Sequence, residues 1–250
     1  MNYLNKIIRK LSHHIIKRLI VKNEQTYKDG VKYLFIPHKS NSLLVVFSGF
    51  TGESRKYNYV SSFYKLNINQ LYILDSWGYK GSYYWMENGD TFPECLVDDL
   101  IKEIIKNNNI STLITCGSSK GGTAAIYFGL NNNAQFIYSG SCQFLVGTYL
   151  NRVEHIKILE GMIGTLDKEK MIAELDRKVQ TAICNHRDSS ALRLFYSTEE
   201  LTYNKHIIPL KNCLEQYNMA YEEKIESFKN HSDVGTYFPS YVCEELEKIL

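Results

Sequence analysis

One short stretch constrains this chain more than any other: Ile114-Thr115-Cys116-Gly117-Ser118-Ser119-Lys120-Gly121-Gly122-Thr123-Ala124-Ala125. Thr112 to Cys116 is short, apolar and partly β-branched, which suits a buried strand. Thr123 to Leu130 is rich in alanine and apolar repeats, which suits a helix. Between them lies Gly117-x-Ser119-x-Gly121. A serine at that spacing stands on a strained strand-to-helix turn with its hydroxyl exposed. The flanking glycines let neighbouring backbone approach. The helix that follows points its positive end at any negative charge forming there. Ser119 is therefore the candidate nucleophile. The competing reading is a glycine-rich connection with no chemistry.

The rest of the chain alternates strand and helix patterns. Strands are expected at Val31–Ile36, Ser42–Ser48, Leu71–Leu74, Gln135–Tyr138, Leu192–Tyr196 and Glu223–Phe228. Helices are expected at Ser54–Leu66, Glu94–Lys106, His206–Tyr217 and Val234–Leu250. Residues 143–190 read as a mostly helical insertion, or cap. Such alternation implies an α/β fold with a mostly parallel sheet covered on both faces. Ligands in these sheets bind beyond the carboxyl ends of the strands. Ser119, Gly49-Phe50, Asp75, Ser139–Ser141, Glu199-Glu200 and His231 all fall at such ends.

The first 22 residues stand apart. Leu4, Ile7, Ile8, Leu11, Ile15, Ile16, Leu19 and Ile20 repeat at helical spacing, and no acidic residue appears before Glu24. Six Lys or Arg lie among them. This is a basic amphipathic helix, the pattern of a helix lying on an anionic membrane. The alternative is a helix packed on the domain or on a second copy. The division expected is thus 1–24 for this helix and 25–250 for the main domain. No stretch reaches the roughly 18 apolar residues of a membrane span, and no signal peptide is expected. The net charge of +2 does not suggest nucleic acid. The six cysteines form no C-x-x-C pattern. They read as reduced thiols of a cytoplasmic protein, and no metal site is expected.

An activated serine needs a base and an acid. Of the seven histidines, His231 alone follows the last expected strand, in a loop before the final helix. The acid should follow strand 192–196, where Glu200 fits best and Glu199 is the neighbour. Asp233 and Asp75 are the fall-backs. Backbone N–H groups of Phe50 and Lys120 are the expected oxyanion donors. The Lys120 side chain is read as solvated, or as steering an anionic substrate. Residues 77–90 are dense in aromatics. Trp77, Tyr83, Tyr84 and Trp85 are candidates to stack on sugar faces; the competing reading is loop-to-core packing.

Gly117-Ser118-Ser119-Lys120-Gly121-Gly122 resembles the nucleophile turn of the α/β-hydrolase superfamily. Phe47-Ser48-Gly49-Phe50, Leu74-Asp75-Ser76-Trp77-Gly78, Gly81-Ser82-Tyr83-Tyr84 and Glu87-Asn88-Gly89-Asp90 resemble a bacterial surface-glycan branch of it. That branch holds accessory Sec secretion proteins and XcbB/CpsF-type capsule proteins. The likeness covers residues 40–145 and loosely the region of His231. It implies an α/β-hydrolase fold, a Ser119–His231–Glu200 triad, and acyl transfer to a cell-surface saccharide. No bound cofactor is implied; a donor such as acetyl-CoA would be a co-substrate. Glutamate stands where the superfamily usually has aspartate. Two other readings compete: an esterase or deacetylase with the same residues, and a hydrolase-like assembly partner without catalysis. The implied place is the cytoplasm, at the inner face of the membrane if the basic helix binds it.

Overall fold

The computed structural model describes residues 15–28, 30–50, 55–186 and 190–249. Its centre is an eight-stranded sheet. The strands are β1 (Glu24–Tyr27), β2 (Val31–Ile36), β3 (Ser42–Phe47), β4 (Asn69–Ile73), β5 (Thr112–Ser118), β6 (Phe136–Gly140), β7 (Ala191–Tyr196) and β8 (Tyr221–Ile225). They lie in the order β1-β2-β4-β3-β5-β6-β7-β8. β3 to β8 run parallel; β2 is antiparallel to β4, and β1 to β2. The central strands are buried on both faces, so they read as continuous apolar runs. In β3 the side chains alternate between two cores: Leu43, Val45 and Phe47 enter one, Leu44 and Val46 the other. Each such side chain contributes about 1.5–3 kcal/mol by leaving water.

Helices cover both faces. Residues 15–23 are helical and are called α1 here. The others are α2 (Val60–Phe63), α3 (Phe92–Asn107), α4 (Lys120–Asn131), α5 (Val146–Leu150), α6 (Ile156–Ile163), α7 (Lys168–His186), α8 (Ile208–Gln216) and α9 (Val234–Leu246). The core on the Leu43 face takes residues of α3 to α8, and the other takes α2 and α9. α5, α6 and α7 occupy the expected helical insertion. In α1, Ile16, Leu19 and Ile20 pack against the smaller core, while Ile15 and Val21 stay exposed. The remaining N-terminal positions, 1–14, lie outside the described residues. Among those described, no helix is long and apolar enough to cross a membrane.

Several expected boundaries move, each for a local reason. The helix expected over 54–66 is only Val60–Phe63; residues 51–54 lie outside the description. Tyr59 takes φ 63°, in the left-handed region, and stops the helix from extending backwards. The helix expected from His206 begins as a π-turn over Tyr203–Ile207. Pro209 in the first turn of α8 has no N–H to close a regular turn behind it. The last strand sits at Tyr221–Ile225, starting two positions and ending three positions earlier than expected, because Phe228 is a buried loop residue packed on Phe195 rather than a strand residue. β1 was not expected, since Glu-Gln-Thr-Tyr has no apolar alternation. It forms by hairpin pairing to β2.

Candidate active site

β5 ends at Ser118 and α4 begins at Lys120, so Ser119 alone makes the turn. It adopts φ 55° and ψ −127°. A non-glycine residue held there costs about 1–3 kcal/mol. The turn is clamped by close backbone. A Cβ on Gly117 would lie 2.3 Å from the carbonyl oxygen of Gly121, and one on Gly121 would lie 2.3 Å from that of Phe47. No side chain fits at either place. The Ser119 N–H donates to the Gly140 carbonyl at 2.7 Å, fixing the turn to β6.

His231 comes from a short 3₁₀ turn between β8 and α9. Its Nε2 lies 2.8 Å from Ser119 Oγ. Its Nδ1 lies 2.9 Å from Glu200 Oε2 and 3.1 Å from Thr202 Oγ1. The Glu200 carboxylate is buried and also accepts the Ser141 hydroxyl proton at Oε1. Glu200 stands four residues past β7. Ser197 Oγ accepts from the backbone N–H of Glu199 at 3.1 Å and of Phe228 at 3.2 Å. That hydroxyl ties the loop carrying the acid to the loop carrying the imidazole. Glu199 points away and accepts from Ser227 Oγ at 2.6 Å. Asp233 pairs with Asn230, and Asp75 with Lys120. Of the four candidate acids, Glu200 alone meets the imidazole.

Gln143, on the loop after β6, was not foreseen. It is buried, and its Nε2 lies 3.1 Å from Ser119 Oγ. Its Oε1 accepts from the Tyr83 hydroxyl at 3.2 Å. The Thr123 hydroxyl takes its backbone N–H at 3.1 Å and donates to its carbonyl at 2.7 Å. Proton counting sets the direction of the whole chain. The carboxylate requires Nδ1–H on His231, so Nε2 accepts the serine proton. Ser119 then has no proton left for Gln143, and the amide must donate to it. Donation runs Tyr83, Gln143, Ser119, His231, Glu200. The only advance signal was position: Gln143 follows the carboxyl end of the strand next to the serine.

Two expectations are overturned. The Lys120 side chain is neither solvated nor free to steer a substrate. It is 1% exposed, and Nζ sits 2.6 Å from Asp75 Oδ2 and 4.5 Å from the centre of the Tyr84 ring. Burial pushes its pKa down, against the pull of Asp75. Asp75 is further satisfied by the N–H groups of Ser82 at 2.8 Å and Tyr84 at 3.3 Å. The second concerns the aromatics. Trp77, Tyr83, Tyr84 and Trp85 are buried and do not reach solvent. Tyr84 packs on Phe47 and Phe128, Trp85 on Tyr127, Tyr83 on Trp85 and Phe50, and Trp77 on Phe92, where large rings remove the most apolar area from water. Tyr84 also accepts the Ser48 N–H at 2.7 Å, bracing the loop that leads to Phe50.

Ser119 and His231 open onto a cleft of about 650 Å³. Phe50, Tyr59, Tyr79 and Tyr149 line it, with Lys80 and His155. Phe50 borders the serine from the loop after β3: a Cβ on Gly49 would touch the Ser118 carbonyl at 3.3 Å. Lys120 supplies the first N–H of α4, where the opening turn of a helix leaves donors without intrahelical partners. All six cysteines are free thiols, and Cys116, Cys142 and Cys213 are buried. Among the described residues no group of three His, Cys, Asp or Glu side chains is placed to hold a metal ion.

No family model matches the sequence, and no curated protein matches it. Solved structures do match the fold. The capsule O-acetyltransferase of Neisseria meningitidis serogroup A, in a histidine-to-alanine variant with CoA, aligns with a TM-score of 0.75 at 20% identity, over 88% of this chain and 93% of that one. A chain of the Glycosylation Associate Protein complex of Streptococcus agalactiae aligns at 0.72 and 20% identity, over 90% of this chain and 46% of that one. A fluorophosphonate-binding serine hydrolase of Staphylococcus aureus aligns at 0.63 and 11% identity, over 86% and 91%. The fold is that of the α/β-hydrolases.

Proposed function

We propose that this protein is a serine-dependent acyltransferase acting on a bacterial surface glycan, with an acyl donor such as acetyl-CoA. One observation carries the reading: the chain from Glu200 through His231 to a strained Ser119 opens onto a cleft. Its volume is in the usual range for small-molecule sites, about 300–1,000 Å³. The likeness to a capsule O-acetyltransferase with CoA supports the choice of donor and acceptor class. In this reading Ser119 Oγ attacks the acyl carbonyl as its proton passes to His231 Nε2. The N–H groups of Phe50 and Lys120 stabilise the oxyanion. Collapse breaks the bond to the leaving group, and His231 returns the proton to it. A sugar hydroxyl then gives its proton to His231 and attacks the acyl-enzyme, restoring Ser119. Glu200 holds the imidazole in its productive tautomer and stabilises the imidazolium. Gln143 donates to Oγ as negative charge gathers on it.

Labelling with a fluorophosphonate probe tests the nucleophile. The wild type should label and Ser119→Ala should not. A wild type that fails to label favours the assembly-partner reading instead. Acetyl release from acetyl-CoA with and without oligosaccharide separates transfer from hydrolysis.

The exposed part of α1 supports a peripheral membrane contact in the same scheme. Ile15, Lys17, Arg18, Val21 and Lys22 face away from the domain. Each basic side chain near an anionic leaflet contributes about 1 kcal/mol. Binding of the full chain to anionic liposomes, weakened by salt, is the expected result.

A further inference from the structure

Three cations gather around the mouth of the cleft. Lys80 and Arg152 are half-buried, and Lys157 is exposed. Among the described residues none of the three has an ion-pair partner. Lys80 Nζ and Lys157 Nζ lie 5.1 Å and 5.9 Å from the centre of one ring, Tyr79, which is exposed at the cleft. The Arg152 guanidinium lies 5.2 Å from the centre of Tyr149, another cleft ring. The imidazole of His155 is stacked on Phe50 at 6.4 Å and tilted on Tyr149 at 4.5 Å. Burial lowers the His155 pKa first; the Glu154 carboxylate opposes this, and Arg152 and Lys80 add to it. Arg152 and Lys80 thus both act on the one imidazole. Among the described residues Glu154 is the carboxylate that lines the cleft; Lys80 lines it too, and Arg152 and Lys157 lie over its Tyr149 and Tyr79 rings.

The arrangement is built rather than draped. Gly78 and Tyr79 lie close against Gly161 of α6, where an added Cβ would meet Tyr79 N at 3.4 Å. The Arg55 guanidinium donates to the carbonyls of Ser76 and Gly78, holding the same loop from the other side. Lys80 itself takes φ 63°. Among the described residues these cations have ring faces but no carboxylate beside them, and an incoming anion would supply the missing half of charge-assisted hydrogen bonds. We infer that Lys80, Arg152 and Lys157 form a subsite for a phosphate-bearing group at the mouth of the Ser119 cleft. This rests on the acyl-transfer reading and adds to it: one of the two substrates carries phosphate, and the aromatic rings bind the apolar part beside it. Phosphate groups of a CoA-type donor and those of a phosphorylated saccharide share this chemistry.

Calorimetric titration of the full chain with CoA, and separately with glucose 6-phosphate and glucose, tests it. The variants are Lys80→Ala/Arg152→Ala and Lys157→Ala, with melting temperatures checking that they fold. CoA affinity should fall at least tenfold in the double variant and fall again when salt is raised from 50 to 500 mM, since exposed charge pairs are screened. If instead only glucose 6-phosphate shows that loss while glucose does not, the phosphate belongs to the acceptor. Wild-type affinity for both phosphates that is absent, or unchanged in folded variants, overturns the subsite. Fluorophosphonate labelling of the same samples reports on Ser119 independently. Labelled protein without cation-dependent binding leaves acyl transfer standing and removes the subsite; unlabelled protein with such binding does the reverse.

Discussion

Two buried carboxylates flank the same turn, each holding a side-chain nitrogen, and the two pairs are built alike. Glu200 holds His231 at 2.9 Å, and Asp75 holds Lys120 at 2.6 Å. Both carboxylates are buried, and both follow the carboxyl end of a parallel strand. The difference lies in the partner. The His231 side chain is 37% exposed, while that of Lys120 is 1% exposed. The imidazole opens onto the cleft beside Ser119. The ammonium is sealed beneath Tyr84 and Asp75. Adjacent residues of one turn thus divide the labour: Ser119 meets the open pair, and the side chain of Lys120 completes the closed one. A buried carboxylate with a nitrogen partner is therefore not by itself a sign of chemistry.

The comparison breaks most visibly in activity. Ser119→Ala and His231→Ala should each lower kcat on a small ester on the order of 10⁶-fold, with melting temperatures near that of the wild type. A His231→Ala enzyme that keeps its rate would make the open pair as inert as the closed one. Glu200→Gln should cost less, roughly 10²–10⁴-fold in kcat. If Glu199→Gln were the more damaging change, the carboxylate buried against His231 would have no part in the reaction.

The closed pair should fail in stability instead. Asp75→Ala leaves a buried ammonium unpaired and should lower unfolding free energy by about 3–5 kcal/mol, read from urea denaturation. The double change Asp75→Leu with Lys120→Met should recover much of it. Full loss of activity in a folded double variant would mean the closed pair also takes part in turnover. Gln143→Leu removes one donor from Ser119 Oγ. It should slow fluorophosphonate labelling about tenfold, the effect of roughly one charge-assisted hydrogen bond, and Gln143→Asn should not restore it if reach matters.

The smallest effect concerns a sealed histidine. Burial pushes the His206 pKa down to about 4, with Arg152 adding to the shift. An unfolded histidine titrates near about 6.5. The unfolded chain therefore binds the proton first, and stability falls as pH drops from that value towards the folded one. His206→Phe should flatten this part of the stability–pH curve. An unchanged slope would place the proton elsewhere.

What was legible in the sequence was whatever depends on local spacing. Leu43 to Phe47 and Thr112 to Cys116 announce buried parallel strands because both faces are covered. Ser119 is legible because glycines stand where backbone meets backbone. Glu200 and His231 were singled out by counting from strand ends, and the structure has them in one hydrogen-bonded chain; their catalytic part is the proposal. Partners that meet only in three dimensions were hidden. Lys120 follows the serine, yet its side chain turns inward to Asp75, 45 positions away. Tyr83 and Trp85 sit in a loop, yet they fill the core because the loop folds beneath the cleft. Gln143 carries no pattern, since a buried amide is identified by its neighbours. β1 has no apolar signature because it forms an exposed edge.

The imidazole hangs between unequal supports. α9 behind it is anchored by Val234 and Phe238, both buried. β8 before it is an edge strand whose residues are almost all exposed. Edge strands open at far lower free energy than a core does. Warming should therefore detach the base while Ser119 stays clamped between its glycines. The population able to turn over would then shrink reversibly, well below the temperature at which the sheet melts, and the working range of the protein would be set by one frayed border rather than by its interior.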